Sequence, residues 1–190
     1  MNMTMVEDGI GLSEQCSREG ARILTQVLAD QHVLQQKLHN YHWNVRGPHF
    51  TELHRLFERQ YEVLGKTIDE VAERIRQLGY PAPGTMTEFL QLTNLTEYPG
   101  DYPNANVMVG NILEDHELLV RRIRWELIAE EHCGLDDGTA DLLVSVMRAH
   151  EKLAWMMRAT LSVAGEGTSR PEPDLSETEH PEYFQYHSGG

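Results

Sequence analysis

Apolar residues recur at three- and four-residue steps along four long stretches of the chain, which is the spacing of helices that bury one face. Chain breakers separate these stretches: Gly47 and Pro48 follow the first, and Gly79 follows the second. No stretch alternates between apolar and polar residues as a half-buried β-strand would. The sequence therefore predicts an all-α fold, whose four long helices cover residues 13–45, 49–78, 105–132 and 136–165.

The connection between the second and third helices is long, with about 20 residues that are rich in Pro, Gly and Thr. Loops of this length usually carry structure of their own, and we expect a short extra helix over 87–92. Four long helices with one long crossover in the middle are typical of a ferritin-like four-helix bundle.

The 190 residues are enough for one domain with termini of different composition. We expect an N-terminal extension over 1–12, the bundle over 13–164 and an acidic tail over 165–190. Asp and Glu number 30 against 16 Lys and Arg, which gives a formal net charge of -14. This balance argues against a nucleic-acid binder that is built on a basic surface.

Only two cysteines occur, Cys16 and Cys133, so a disulfide framework and a cysteine zinc site are excluded. Two such thiols fit a reducing cytoplasm. No segment reaches the roughly 18 uninterrupted apolar residues of a membrane span. The first 19 residues lack the basic and apolar regions of a secretory signal. We therefore expect a cytoplasmic protein with no membrane partner.

Two histidines and one carboxylate lie around the predicted turn between the first two helices. His42 is near the end of the first helix, His54 is near the start of the second, and Glu58 follows one turn later on the same face. The Gly47-Pro48 turn folds one helix back beside the other, so the two imidazoles can approach each other. Imidazole and carboxylate together are suitable ligands for iron or zinc.

Asp69 and Glu73 form a second candidate pair further along the second helix. Asp69 lies only about 20° round the helix from Glu58, but about 16 Å further along its axis. Metal–ligand distances are about 2 Å, so the two groups cannot share one ion within a single chain. They could share one if two copies of this helix packed antiparallel about a two-fold axis. The spacing therefore predicts an intersubunit metal site.

The Glu-x-x-His pattern of the di-iron sites inside single ferritin bundles occurs only once, at 177–180 in the tail. An ordinary in-bundle di-iron centre is therefore not expected. Each of the five candidate ligands, taken alone, also fits a plainer interpretation, because histidines and carboxylates are common on solvated helix faces. Helix geometry alone leaves both interpretations open.

Residues 42–58 closely resemble the first signature of the Dps family, the DNA-protection proteins of starved cells, also called mini-ferritins. Residues 68–79 resemble the second signature of that family. The helix order, the crossover and the segment 136–141 at the start of the last helix are also similar. The resemblance spans about residues 13–161 and leaves out both ends.

This resemblance implies a hollow dodecamer with ferroxidase centres at two-fold interfaces. Carried over onto this chain, the ligands would be His42, His54 and Glu58 from one subunit and Asp69 and Glu73 from its neighbour. The family most often has Asp where this chain has Glu58. The extra methylene keeps the ligand chemistry but bears on the affinity of the weaker second iron position.

The resemblance also implies the chemistry. Bound iron(II) would be oxidised, preferentially by hydrogen peroxide, with dioxygen as the other oxidant, and the ferric mineral would be stored in the cavity. Zinc would be a substitute for iron on the same ligands. Trp43, beside His42, and Trp155 match tryptophans of the family, and we expect them either to intercept stray oxidising equivalents or to pack in the core.

Asp136, Asp137 and Asp141 stand at the start of the last helix. In the family this segment lines three-fold pores that admit iron, so the resemblance implies a pore role for at least one of them, with Asp137 or Asp141 favoured. The alternative is local, because aspartates cap helix N-termini and complement the helix dipole.

The other histidines of the predicted bundle are expected to be bystanders. His39 and His49 lie near the candidate ligands and could support them, although we favour no role for either. The remaining four are interpreted as surface or packing residues: His32, His116, His132 and His150.

Two other functions stay open. A DNA-compacting protein with a secondary iron site is disfavoured, because both termini are acidic and phosphate contacts need cations. A helical assembly protein with an unoccupied or zinc-filled site would have a structural role only. In that case peroxide-driven iron oxidation would survive replacement of His42 and His54.

Overall fold

The computed structural model describes residues 10–130 and 135–163, and within them the fold is all-α, as predicted, with no strand. The helices follow in the order α1 (Glu14–Asn44), α2 (Phe50–Gln77), α3 (Met86–Leu92), α4 (Ala105–Glu130) and α5 (Asp137–Val163). The predicted extra helix in the crossover is α3. The predictions for α1 and α2 are one residue too long at each end, because they include the capping residues of the two helices: Ser13 and Val45 for α1, and His49 and Leu78 for α2.

Some predictions fall outside the described residues. His132 and Cys133 lie between α4 and α5 in this undescribed part, as do most of the predicted N-terminal extension and the whole of the tail over 165–190 with its motif at 177–180. Among the helices that the structure does describe, none combines the length and the apolar character that crossing a bilayer requires.

Local signals in the sequence set the ends of the helices. The Ser13 hydroxyl caps α1 by accepting a hydrogen bond of 3.2 Å from the Cys16 backbone N–H. Thr85 and Glu88 form a reciprocal capping box at the start of α3. Gly47 lies in the turn between α1 and α2 with a φ of +125°, which side chains with a Cβ rarely adopt. This glycine keeps the turn short and lets α2 run back along α1.

The long helices pair as two hairpins, α1 with α2 and α4 with α5, and α3 packs on α1. Further contacts of α1 with α4 and of α2 with α5 close the bundle. Their apolar stripes meet in one core, in which the largest fully buried side chains include Tyr80, Phe57, Ile23, Leu24 and Leu28.

Two buried acids hold the crossover against the bundle. Asp30 accepts a hydrogen bond of 2.8 Å from the Thr93 hydroxyl. The Lys37 ammonium lies 2.6 Å from an Asp115 carboxylate oxygen and also donates to the Thr96 carbonyl at 2.8 Å. A buried charge is costly unless it is paired, so these contacts fix the segment after α3 to α1 and α4.

One polar side chain from each long helix meets in the centre of the bundle: Gln31, Gln60, His116 and His150, all fully buried. The two imidazoles are hydrogen-bonded through their Nδ1 atoms at 2.8 Å. His116 Nε2 lies 2.9 Å from Gln60 Oε1, and His150 Nε2 lies 3.1 Å from Gln31 Nε2. His116 and His150 are therefore packing residues rather than surface residues, which confirms one of the two interpretations offered for them.

These partners determine where the protons of the two imidazoles sit. The Gln31 amide donates to His150 Nε2, so His150 carries its proton on Nδ1 and donates it to His116 Nδ1. His116 in turn donates from Nε2 to Gln60 Oε1. Both rings must be neutral for this arrangement. Burial lowers the pKa of His150 to about 4, and burial together with the neighbouring imidazole lowers the pKa of His116 well below its usual value.

Candidate metal centre

His42 and His54 face each other across the turn that joins α1 and α2. Their rings stack with centroids 3.7 Å apart and planes inclined by 19°. His42 is buried at the end of α1, and His54 is half-buried near the start of α2. The structure thus brings the two imidazoles together, as the Gly47-Pro48 turn predicts.

Each of these two imidazoles is oriented by the backbone of the other. His42 Nδ1 lies 2.8 Å from the His54 carbonyl oxygen, and His54 Nδ1 lies 2.8 Å from the His42 carbonyl oxygen. A carbonyl oxygen only accepts hydrogen bonds, so both Nδ1 atoms carry a proton and donate it. The neutral rings then keep a lone pair on Nε2, the atom that a metal ion would bind. Such hydrogen bonds to the far nitrogen are how proteins fix the tautomer of a ligating histidine.

Glu58 is half-buried one turn after His54, and its carboxylate interacts with the Tyr61 side chain. Burial, followed by the negative charges of Glu58 and Glu62, raises the pKa of Tyr61. The Tyr61 ring stands edge-on to His42, with centroids 5.4 Å apart. Sequence reasoning missed Tyr61, although it follows His54 by two helical turns and therefore lies on the same face.

Asp69 and Glu73 are exposed on α2. Because α2 is unbroken from Phe50 to Gln77, the axial distance of about 16 Å between Glu58 and Asp69 stands. Over residues 10–130 and 135–163, no three His, Cys, Asp or Glu side chains of one chain gather closely enough to hold a metal ion. The single chain therefore joins the two imidazoles but does not assemble the five candidate ligands.

Further rings adjoin the paired imidazoles. His39 stacks on Tyr61 with centroids 4.0 Å apart and lies 5.6 Å from Trp43. Burial, and then the neighbouring His42, lowers the pKa of His39. In the single chain Trp43 is 65% exposed and Trp155 is 62% exposed, so neither tryptophan packs in the core of its own subunit.

The three aspartates at the start of α5 differ in their surroundings. Asp136 accepts a hydrogen bond of 3.0 Å from the Thr139 backbone N–H and pairs with the Arg74 guanidinium of α2. Burial opposes the shift, but the hydrogen bonds from Thr139 and the charge of Arg74 lower the pKa of Asp136. Asp137 and Asp141 are exposed, and neither pairs with any residue that the structure describes. The alternative interpretation, a helix-capping aspartate, therefore accounts for Asp136, and Asp137 and Asp141 remain as pore candidates.

Comparison with known proteins gives the family. A family model described as Ferritin-like domain matches residues 21–164. DNA protection during starvation protein 2 of Bacillus anthracis is 36% identical over 147 residues, which are 77% of this chain and 99% of that protein. The chain belongs to the Dps family. An uncharacterized low temperature-induced protein of Nostoc sp. is 44% identical to this Dps protein over 150 residues, 79% of this chain and 84% of that one.

Solved Dps structures resemble this Dps chain over most of its length. DpsC from Streptomyces coelicolor superposes with a TM-score of 0.80 at 32% identity, covering 83% of this chain and 92% of that one. The Dps protein of Vibrio cholerae O1 has a TM-score of 0.75 at 31% identity, covering 85% and 99%. It is described as a member of a broad superfamily of ferritin-like diiron-carboxylate proteins. These similarities confirm the family resemblance and the ferritin-like fold.

Proposed function

We propose that this Dps protein is a ferroxidase that stores iron. It oxidises iron(II) at intersubunit sites, keeps the ferric product inside a hollow homo-oligomeric shell and so limits oxidative damage. The reciprocal pair of His42 and His54 carries the proposal, because it leaves an Nε2 lone pair on each of two stacked imidazoles in a Dps chain. Iron is the substrate of this reaction and the stored product.

The second half of each site comes from a neighbouring subunit. Asp69 and Glu73 are exposed, lie one turn apart on α2, and are too far from Glu58 to share an ion with it in the same chain. An antiparallel pair of α2 helices about a two-fold axis would place each carboxylate pair opposite the histidine pair of the other subunit, twice per dimer. The assembly that the family resemblance implies is a dodecamer.

The chemistry needs no nucleophile from the protein. Two iron(II) ions each give one electron to hydrogen peroxide, its O–O bond breaks, and with two waters the products are two FeOOH units and four protons. The imidazoles and carboxylates hold the ions and leave coordination positions open to the oxidant. Dioxygen is the alternative oxidant, and zinc would occupy the same nitrogen and oxygen ligands without being oxidised.

A closed shell needs a route by which cations enter. Asp137 and Asp141 are exposed at the start of α5, so carboxylates repeated around a symmetry axis there would raise the local concentration of cations. Asp136 takes no part in this, because it is engaged by Arg74 and Thr139. We place the shell in the cytoplasm, where its two cysteines would remain thiols.

Compaction of DNA is the competing function, and the names of relatives such as DNA protection during starvation protein 2 suggest it. The formal net charge of -14 opposes it, because DNA binding depends on neutralising phosphates with cations. We expect no shift of duplex DNA in a gel at about 0.15 M salt. A tight complex under those conditions would favour the DNA-compacting function.

The proposed function is tested by anaerobic titration of the metal-free protein with iron(II), followed by addition of hydrogen peroxide and measurement of the ferric absorbance. The wild-type protein is compared with Asp69→Ala/Glu73→Ala and with His42→Ala/His54→Ala. The matched control is Glu62→Ala/Glu70→Ala, which also removes two exposed carboxylates from α2 but none of the candidate ligands.

Saturable iron binding and fast oxidation in the wild-type protein and the control, with both lost in the two ligand variants, support the intersubunit ferroxidase. Oxidation no faster than in buffer would leave a Dps shell without this chemistry. Fast oxidation that survives in His42→Ala/His54→Ala would remove the paired imidazoles from the site and favour a structural role for them.

A further inference from the structure

A cavity of about 430 Å³ lies between the C-terminal end of α1 and the part of the crossover that follows α3. Small-molecule sites in proteins are typically clefts of about 300–1,000 Å³, so this cavity is large enough for a ligand of its own. None of the five candidate metal ligands lines it. Four rings form part of its wall: Tyr41 and Trp43 from α1, and Tyr98 and Tyr102 from the crossover.

Three of these four rings are open to solvent in the single chain. Trp43 is 65% exposed, and Tyr98 and Tyr102 are each 55% exposed. Tyr41 is buried, and its hydroxyl accepts a hydrogen bond of 2.9 Å from the Asn111 side-chain amide, which holds the ring in place. Exposed rings around a concave surface can pack against a ligand, and the negative face of an aromatic ring attracts cations in particular.

Two carboxylates line the cavity without a cationic partner. Glu97 and Asp101 both come from the crossover, and neither forms an ion pair within the part of the chain that the structure describes. Among the described lining residues Lys37 alone is cationic, and its charge is balanced by Asp115 at 2.6 Å. The lining therefore carries two uncompensated negative charges, in a chain whose formal net charge is already -14.

Lys37 indicates which kind of group this wall accepts. Its ammonium lies over the Tyr98 ring, 6.0 Å from the centroid, so this ring already has an alkylammonium ion as a neighbour. Asn44 donates both hydrogens of its side-chain amide to oxygens of Asn40, each at 2.8 Å, which leaves the Asn44 side-chain oxygen as an acceptor. Rings, carboxylates and an amide oxygen together favour a ligand with positive charge, N–H donors and an apolar stem.

Other classes of ligand fit this lining less well. An anion would meet the unpaired carboxylates of Glu97 and Asp101. A metal ion would need more protein ligands, and nowhere in the described residues do three His, Cys, Asp or Glu side chains gather closely enough to hold one. A neutral planar ligand would use the rings but would leave both carboxylates without a counter-charge. A cation with two or more ammonium groups satisfies the rings and both carboxylates.

We propose that this cavity binds an aliphatic diamine or polyamine in its protonated form. The methylene chain of the ligand packs against the rings of Trp43, Tyr98 and Tyr102, and its ammonium groups pair with Glu97 and Asp101. The inference does not depend on the proposed ferroxidase function, because the cavity is formed within one chain and contains none of the candidate metal ligands.

The test is equilibrium dialysis of the metal-free, full-length protein against radiolabelled spermidine. The buffer contains about 0.15 M salt, which screens the attraction of distant charges. Unlabelled 1,4-diaminobutane, 1-aminobutane and choline are added as competitors. They distinguish a ligand with two ammonium groups from a ligand with one, and N–H donors from a quaternary cation. The oligomeric mass of each variant is measured by light scattering.

Glu97→Gln/Asp101→Asn removes the two negative charges of the lining. Its matched control is Glu62→Gln/Glu70→Gln, which neutralises two exposed carboxylates of α2 outside the cavity. We expect saturable binding of one spermidine per chain in the wild type and in the control. The cavity variant should bind about tenfold more weakly, because two solvent-exposed ion pairs are lost. In the wild type, 1,4-diaminobutane should compete better than 1-aminobutane or choline.

Tyr98→Leu/Tyr102→Leu removes two of the rings but keeps both carboxylates. Its matched control is Trp125→Leu, which removes an exposed ring of α4 outside the cavity. The affinity for spermidine should fall by about 3- to 30-fold in the cavity variant, which is the range for lost contacts between a cation and aromatic rings. It should stay at the wild-type value in the control.

Four results would overturn the inference. The first is the absence of saturable spermidine binding in the wild type. The second is an equal loss of affinity in Glu62→Gln/Glu70→Gln, which would assign the binding to the net charge of the chain. The third is competition by choline as strong as that by 1,4-diaminobutane, which would refute the pairing with two carboxylates. The fourth is a changed oligomeric mass of Tyr98→Leu/Tyr102→Leu, which would assign these rings to a contact between subunits.

Discussion

Acid should destabilise the bundle through the buried pair of His116 and His150. His150 binds a proton at about pH 4 in the folded chain, against an ordinary pKa of 6.5. Between these values the unfolded chain binds more protons than the folded chain, so the free energy of unfolding falls as the pH falls. The stability is present above pH 6.5 and is lost progressively on the way to pH 4.

The size of this loss follows from the pKa difference. The step from 6.5 to about 4, at about 1.4 kcal/mol for each pKa unit, corresponds to about 3 kcal/mol per subunit. His116 adds to the loss, since its pKa is also lowered by burial and by His150. About 3 kcal/mol is a large share of the 5–15 kcal/mol that keeps a typical domain folded.

The assay is urea unfolding followed by circular dichroism, at fixed protomer concentration, over a pH series from about 7 to about 4. The wild-type protein is compared with His116→Leu/His150→Leu. The variant is expected to be less stable at neutral pH, because Gln31 and Gln60 lose their hydrogen bonds to the two imidazoles, but to lose about 3 kcal/mol less on acidification. His49→Leu removes an exposed histidine and should follow the wild type.

Carboxylates titrate in the same range, but they are common to all three proteins and cancel in the comparison. Equal pH dependence of the unfolding free energy in the wild type and in the double variant would refute the reasoning. It would mean that the buried pair accepts a proton in the folded bundle as readily as in water.

Three further substitutions test the local structure. Gly47→Ala puts a Cβ on a residue with a φ of +125°, and should lower the unfolding free energy by about 1–3 kcal/mol in urea and weaken iron binding at the adjacent imidazoles. Lys37→Met leaves Asp115 buried without its counter-charge and should lower the unfolding free energy by about 3–5 kcal/mol. Adding Asp115→Asn to this variant should recover part of the lost stability. Arg74→Met releases Asp136 and should cost about 1–3 kcal/mol, with faster hydrogen exchange in the first turn of α5 as the specific sign. An unchanged unfolding free energy in any of these variants would contradict the role given to the backbone conformation or ion pair that it removes.

The helices could be predicted because the residues that define each helix lie within it or directly beside it in the sequence. The apolar stripe of α2 is complete within its 28 residues, and Gly47 and Gly79 mark the breaks on either side. The approach of His42 to His54 was also within reach, since only 12 residues and one tight turn separate them. Local signals of this kind need no knowledge of how the helices pack.

Contacts between distant elements could not be read in the same way. Arg74 and Asp136 are 62 residues apart, and their pairing depends on how α2 meets the start of α5. Gln31 and His150 are 119 residues apart. A signal existed for the histidines, because His116 falls on the same stripe as Ile112 and Leu119. Their mutual partners, however, depend on the relative rotation of four helices.

The carboxylate half of the candidate site illustrates a different limit. Asp69 and Glu73 are exposed in a single chain, where nothing distinguishes them from other acids on α2 such as Glu70. Only the spacing of about 16 Å from Glu58 and the family signature single them out. Their role depends on a second copy of the chain and stays a prediction.

The reciprocal contact of His42 and His54 also limits how this protein can change during evolution. Loss of either imidazole removes one hydrogen bond to a carbonyl, removes the stacking contact between the two rings and removes one candidate ligand. Loss of the second imidazole then removes fewer remaining interactions, so the effects of the two substitutions should be strongly non-additive in a double-mutant cycle. A lineage that replaces one of these histidines should soon lose the other, and Dps chains with only one of the two should be rare.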